Sequence, residues 1–283
     1  MYIKMSQFSE LSLQLTKQLS KTEKKKFGIF LTPQCIIECL HKSIIDFVGD
    51  KKFQHILEPS CGSCEIIRYL DTHYENVEID GIEWNETIFQ SIQSLSFQNE
   101  VKLINQNFLK FYSEKKYDLI IGNPPYFVCS KTDIPSQYNE YKIGRPNIFV
   151  IFILHALSML KKDGILAFII PKSFLNSIYY SQVRNYIKQT CKIVKIEDYS
   201  SFNKFIDTEQ TTFGLILQKK EDIVPFECDY SLCINHSFIF SENTKELKKI
   251  LEGSTTLEKL GFKVRTGQIV WNEHKEILTH DEN

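Results

Sequence analysis

The chain has 283 residues, a formal net charge of −1, 42% hydrophobic and 24% charged residues. That length holds one large α/β domain or two smaller ones, and the composition is that of a folded globular protein, which excludes a disordered chain. A charge so close to zero excludes a global field that draws in nucleic acid, so any such contact must come from a local basic patch or another domain.

No apolar run is long enough to cross a bilayer, and Met1-Tyr2-Ile3-Lys4-Met5 is not a signal peptide. The expected location is the bacterial cytoplasm, or the host-cell interior if the chain is viral, with no membrane partner. The eight cysteines are then expected as free thiols. Cys61-Gly62-Ser63-Cys64 has zinc-knuckle or redox spacing, but no second pair at metal spacing follows; Cys228 and Cys233 lie far along the chain. Structural zinc takes four ligands, so no metal is expected.

In chain order, Phe8, Leu11, Leu15 and Leu19 share one face of a helix over 6–20, an arm or lid. Residues 21–26 (KTEKKK) form a charge-rich connector, either solvated or touching phosphates. Thr32-Pro33 predicts a helix start, with Thr32 as N-cap, Pro33 first in the helix, and Ile36, Ile37, Leu40 and Ile44 inward over 33–48. Phe53 to Glu58 reads as a buried strand running into Pro59-Ser60-Cys61-Gly62-Ser63-Cys64 and a helix from Glu65. Strand, small-residue turn, helix is the unit that binds cofactors at the carboxyl end of an open parallel sheet. Small residues let a ligand approach the backbone, and the helix N-terminus offers unbonded N–H groups. The turn is not GxGxxG and its helix opens with Glu65, which argues against a dinucleotide pyrophosphate. A zwitterion bearing an amine and a carboxylate fits better, with Glu58 close to the amine.

A second strand, Val77 to Ile82, ends at Glu83-Trp84-Asn85. An acid there can accept from both hydroxyls of a ribose; the alternative is an acid stabilised by a helix dipole. A third strand, Val101 to Ile104, leads to Asn107 and Phe108, placed to hydrogen-bond and stack on an adenine. A fourth, Tyr117 to Ile121, runs into Gly122-Asn123-Pro124-Pro125-Tyr126-Phe127. Two prolines forbid a helix and remove two backbone donors. The Asn123 side-chain oxygen and the Pro124 carbonyl can both accept from one exocyclic NH2, localising its lone pair towards an electrophile, while Tyr126 stacks on the ring. In isolation this tripeptide reads equally as a proline turn with packed aromatics. Four successive strand–loop units ending in candidate ligand residues favour a site along one sheet edge.

Residues 127–146 read as a polar loop with Lys131, Lys142 and Arg145, and Asn147 to Leu160 as an apolar helix. Gly164 to Ile170 is a central buried strand, 173–190 a helical stretch, and Lys192 to Tyr199 with Thr211 to Gln218 a hairpin pair at the sheet edge. The fold class expected is α/β, a doubly wound, mostly parallel seven-stranded sheet with an antiparallel edge strand.

Thr32-Pro33, LEPSCGS at 57–63, GIEWN at 81–85, NQNFL at 105–109 and IIGNPPY at 120–126, in that order, resemble the γ class of S-adenosylmethionine-dependent DNA amino-methyltransferases. These are the N6-adenine enzymes of restriction–modification systems, and the resemblance covers about residues 25–220. It implies a class I methyltransferase fold of Rossmann-like type, S-adenosylmethionine as cofactor, DNA as partner and methyl transfer to the N6 amine of a flipped adenine. It implies that Thr32 and the loop of Glu58, Pro59, Ser60, Cys61 and Gly62 hold the methionine part of the cofactor. Glu83 would take the ribose hydroxyls, Trp84 would flank the cofactor adenine, and Asn107 and Phe108 would bind and stack on it. Asn123 and Pro124, stiffened by Pro125, would orient the target amine. Tyr126 and Phe202 would sandwich the flipped base, with Phe205 a rival to Phe202.

Two positions depart from the family pattern: Cys64 stands where a glycine is common, and Asn107 where an aspartate is usual. Leu257 to Asn272 resembles the junction into a target-recognition domain. The expected domains are therefore a helical arm over 1–24, a catalytic domain over 25–222 and the start of a truncated recognition domain over 223–283, with a separate chain as a candidate source of recognition. The alternatives are an N4-cytosine DNA, RNA adenine or protein glutamine methyltransferase, or a catalytically impaired subunit that needs a partner recognition chain.

Overall fold

The computed structural model describes residues 8–20, 23–24, 28, 31–141, 144, 146–200, 211–220, 229–234, 237–257 and 259–263. The chain forms two compact units, Met1–Thr244 and Lys245–Asn283.

In the first unit, α1 (Glu10–Gln18) starts at Ser9, whose side chain accepts from the Ser12 N–H. Leu15 and Leu19 of its apolar face are buried against Ile88. Helix α2 (Gln34–Val48) buries Ile36, Ile37, Leu40 and Ile44, as the periodicity predicts. Its start differs from expectation. Pro33 is the N-cap and no side chain caps the helix. Thr32 is drawn away by a long-range bond, accepting from Asn123 Nδ2 at 3.1 Å.

The next elements are β1 (His55–Glu58), α3 (Glu65–His73), β2 (Glu78–Glu83), α4 (Glu86–Ile92), β3 (Glu100–Asn105) and β4 (Tyr117–Gly122). The four strands lie within two residues of their predicted bounds and α3 starts at Glu65 as predicted; α4 is not among the predicted elements. The segment after β4 is more structured than the polar loop expected. It contains 3-10 turns at Lys131–Asp133 and Ser136–Tyr141 and buries Ile134 and Tyr138. Tyr138 Oη pairs with His155 Nδ1 at 2.8 Å. Lys142 and Arg145 lie outside the described residues.

Helix α5 (Ile148–Met159) is followed directly by β5 (Leu160–Pro171). The helix expected over 173–190 is continuous only in its second half, α6 (Ser181–Thr190); Lys172–Leu175 and Ile178–Tyr180 are 3-10 turns. The buried Arg184 reaches back to this break. Its Nη1 takes the carbonyls of Phe174 at 2.9 Å and Ser177 at 2.8 Å, groups an unbroken helix would bond to its own N–H donors. Strands β6 (Cys191–Asp198) and β7 (Thr212–Lys219) complete the main sheet, and β8 (Ser231–Ile234) with β9 (Ser237–Phe240) forms a separate hairpin. Arg184 Nε ties that hairpin to α6 through the Phe238 carbonyl at 2.7 Å. Helix α7 (Thr244–Leu251) leads into the second unit.

The main sheet has seven strands in the order β3-β2-β1-β4-β5-β7-β6. All run parallel except β7, which is antiparallel to both neighbours and lies one place in from the edge strand β6. The sheet is therefore mostly parallel, as expected, and the hairpin partner is inserted rather than appended. Both faces are covered. Along β5, Leu166, Phe168 and Ile170 join the core around α5, while Ile165, Ala167 and Ile169 join the core around α2 and α3. Burial on both faces explains why this strand reads as an unbroken apolar run. Among the described residues no helix is long and apolar enough to cross a membrane.

Gly214 on β7 faces the core around α2, where there is no room for a side chain. A Cβ there would run into the Tyr199 hydroxyl and lie 3.2 Å from Leu40 Cδ1. Gly214→Ala is expected to lower stability by about 1–3 kcal/mol through overpacking. A urea-melt midpoint unchanged from wild type would refute this.

Candidate functional site

The strand order reverses between β1 and β4, and open α/β sheets bind ligands outside the carboxyl ends of their strands at such a point. A cleft of about 650 Å³ opens there. Pro59, Ser60 and Gly62 line it from the turn after β1, Glu83 and Trp84 from the end of β2, Asn107 and Phe108 from beyond β3, and Asn123 and Pro125 from beyond β4. Thr32, Glu58, Cys61, Pro124 and Tyr126 are not part of the lining. Phe202 and Phe205 lie outside the described residues. Gly28, Leu31, Asn85, Phe127, Ile148 and Phe152 complete the wall. Of these, Asn85 and Phe127 adjoin motif residues. Ile148 and Phe152 share a face of α5 at i, i+4 spacing, but α5 is apolar on every side, so no pattern singles them out.

Two buried carboxylates set the electrostatics. Glu58 ends β1 at 3% exposure, and its Oε2 has no hydrogen-bond partner among the described residues. Burial, first, then the neighbouring Cys64, Glu83 and Glu65, push its carboxyl well above the usual carboxylate range; the Ile67 backbone N–H pulls the other way. Glu83 is held differently. Gly62 N–H donates to Oε2 at 2.9 Å and Asn85 N–H to Oε1 at 2.7 Å. Burial raises this carboxyl too, while the N–H groups of Asn85, Gly62 and Trp84 oppose the rise. Each Glu83 oxygen already accepts one N–H and retains further acceptor capacity on its outer side.

The Asn123 turn is fastened from three directions. Asn123 Nδ2 donates to Thr32 Oγ1, the Ser60 hydroxyl donates to the Asn123 carbonyl at 3.1 Å, and the Tyr126 hydroxyl donates to Asn123 Oδ1. Tyr126 Oη also bonds the Ile169 carbonyl at 2.7 Å, and its ring meets Phe149 edge-on at 6.1 Å. The ring expected to stack on a base is thus packed beside the sheet, its hydroxyl anchored in the core. Burial raises the phenol well above its ordinary value, so it remains a donor. Gly28, at φ +60, packs against this turn so closely that a Cβ would sit 2.6 Å from the Tyr126 nitrogen.

Trp84 is 51% exposed at the cleft rim. Phe108 is buried, with Phe152 and His155 each at 4.8 Å behind it. Asn107 Oδ1 accepts from the Leu109 N–H at 2.9 Å and so caps the 3-10 turn Phe108–Lys110. Cys64 adopts φ 62, ψ 26, the left-handed region that favours glycine, which gives the physical reason for a glycine at this turn position. It is fully buried, and Cys61 and Cys64 are free thiols. The α1 arm closes over the same turn: Ser12 Oγ meets Ser63 Oγ at 2.7 Å, and the Ser9 and Ser12 hydroxyls both bond Glu65 Oε1. Among the described residues no cluster of His, Cys, Asp and Glu could hold a metal ion.

Known proteins share this sequence and fold. The profile of the Eco57I restriction-modification methylase family matches residues 4–205. The chain is 34% identical over 216 residues to the modification methylase CviBIII of Paramecium bursaria Chlorella virus NC1A, covering 75% of this chain and 55% of that one. It is 28% identical over 264 residues to the type II methyltransferase M.CvrRI of Paramecium bursaria Chlorella virus XZ-6E, covering 93% of this chain and 67% of that one. The chain thus spans only part of the length of these relatives. Among solved structures, a Listeria monocytogenes protein assigned to the class I S-adenosylmethionine-dependent methyltransferases superposes with a TM-score of 0.59 at 18% identity, over 77% of this chain and 68% of that one. That likeness is one of fold: the seven-stranded α/β sheet of the class I methyltransferases. With the family profile spanning most of its length, the chain belongs to the Eco57I restriction-modification methylase family.

Proposed function

We propose that this domain transfers a methyl group from S-adenosylmethionine to the N6 amine of an adenine flipped out of DNA. The observation that supports this most directly is that the Pro59–Gly62 turn, Glu83 and the Asn123–Pro125 turn line one cleft, so a cofactor subsite and an amine-capturing turn adjoin. The family membership and the names of the relatives agree with it.

The residues present fit the cofactor. A buried carboxylate oxygen without a partner, on Glu58, asks for a cation, and an α-ammonium group is one. Glu83 would accept from the two ribose hydroxyls on the side away from Gly62 and Asn85. Trp84 and Phe108 would flank the adenine ring. S-adenosylmethionine supplies an electrophilic methyl group on a sulfonium sulfur, which an amine nitrogen displaces in line. This chain's part is to orient that amine. Asn123 Oδ1 and the Pro124 carbonyl accept its two hydrogens, which concentrates the lone pair on nitrogen, and the braced turn holds it at attacking distance. Tyr126, now turned towards Ile169, would swing out to stack on the base. The amine proton leaves to water after attack. Reading of the DNA sequence is assigned to a recognition element outside the catalytic domain, on a partner chain or on further sequence.

The deciding experiment is methyl-label transfer to unmethylated duplex and single-stranded DNA, with the product nucleosides identified by mass spectrometry. N6-methyladenine is expected, and Asn123→Ala is expected to lower its formation about 100-fold or more, the usual cost of losing an acceptor or donor that acts on the reacting group. Formation of N4-methylcytosine instead, or transfer to RNA or protein but not DNA, would refute the reading.

Glu58 makes a second prediction. Its carboxyl is held high by burial, so its contribution to stability is complete below about pH 4.3, the unfolded value, and is lost as pH rises through the folded value. Wild type should therefore lose stability relative to Glu58→Gln as pH is raised from about 4 to 8. An ammonium group favours the ionised carboxylate, so cofactor affinity should rise with pH in wild type and stay flat in Glu58→Gln. Parallel pH profiles of the two proteins in both measurements would contradict the assignment.

A further inference from the structure

We propose that Thr32 is a positioning residue for methyl transfer: by accepting the Asn123 Nδ2–H, it turns the Asn123 amide so that its oxygen, not its nitrogen, meets the target amine. This deepens the proposed function and rests on it.

A carboxamide has two ends of nearly equal shape and opposite chemistry. Rotated by half a turn, Asn123 would present NH2 to NH2, and the turn would repel the amine it must hold. Something has to decide between the two rotamers. On one side is Thr32 Oγ1, 3.1 Å from Nδ2 and buried at 7% exposure, where losing a hydrogen bond costs more than in water. On the other side is the Tyr126 hydroxyl, which has one proton and two acceptors, Asn123 Oδ1 and the Ile169 carbonyl. When the amine arrives, Tyr126 can give its proton wholly to Ile169 and hand Oδ1 to the substrate. The Thr32 hydroxyl can donate as well as accept, but once Oδ1 takes the amine only its accepting role leaves Nδ2 paired, so this bond keeps the amide oriented through the exchange.

The chain around Thr32 is built to hold this contact. Gly28 lies against the backbone of Tyr126, and Ser60 holds the Asn123 carbonyl, so the backbone on which the amide turns is fixed. Thr32 is also free of the duty its sequence suggests, since α2 has no side-chain cap. The resemblance-based role for Thr32, holding the methionine part of the cofactor, makes a different prediction. A cofactor contact acts on cofactor affinity; a positioning residue acts on the transfer step.

The test compares wild type, Thr32→Val and Thr32→Ser. It measures kcat for methyl transfer to DNA at saturating cofactor, cofactor Kd by calorimetry, and the melting temperature of each. The valine variant keeps the shape and removes the acceptor; the serine variant keeps the acceptor. The expected result is a kcat about 10- to 100-fold lower in Thr32→Val, with cofactor Kd within about twofold of wild type and kcat largely restored in Thr32→Ser. A Kd weakened in Thr32→Val with kcat intact at saturation would overturn the inference in favour of a cofactor contact. Equal loss in both variants would reduce Thr32 to space filling, and no loss in either would leave Asn123 oriented without it; both outcomes overturn the inference. A wild-type chain that binds the cofactor but methylates no DNA overturns the proposed function itself, and is told apart by its intact Kd.

Discussion

The structure turns on the pairing of β1 with β4. Their register, Ile56 with Leu119 and Leu57 with Ile120, brings the turn after each strand side by side at the point where the strand order reverses. In a sheet buried on both faces, only the strand ends can meet a ligand. Two turns from distant parts of the chain are therefore pressed together. Gly122 makes this possible, since a Cβ there would sit 3.2 Å from Pro59 Cδ. A group captured by one turn and a group captured by the other are then neighbours, which is the geometric requirement of a transfer reaction.

The site carries unfavourable electrostatics. Glu58 and Glu83 are both buried, burial raises both carboxyls, and Glu83 adds to the rise at Glu58. Glu83 is compensated by backbone N–H groups that belong to the fold. Glu58 has only the Ile67 N–H, and its buried Oε2 has no partner among the described residues. Cys64 adds backbone strain one turn away. Strain and unsatisfied charge gather at functional sites because a ligand, rather than the fold, relieves them.

Rigidity comes from behind. The α1 arm is tied to Ser63 and Glu65, Ser60 to Asn123, and His155 and Phe152 back the Phe108 ring. Most of these partners lie outside the motifs that mark the site. A site whose exposed residues are few is held by a larger number of buried ones, and the Asn123 side-chain amide alone bonds both Tyr126 on its own turn and Thr32 before α2.

Most of the strands, and the turns that end them, are legible in the sequence alone. Apolar runs and periodicities are local properties, so both ends of each strand from β1 to β4 and the start of α3 fall within two residues of expectation, and the prolines, small residues and acids that end the strands are visible without any partner. The same locality explains the misses. Thr32-Pro33 satisfies the local rule for a helix cap, yet its oxygen goes to a residue 91 positions away. The stretch 173–190 has helical composition, yet a buried guanidinium takes two of its carbonyls. Which donor meets which acceptor across the fold was decided only by the tertiary structure. Buried polar groups must pair with whatever the packing brings within reach, and no local pattern encodes that distance.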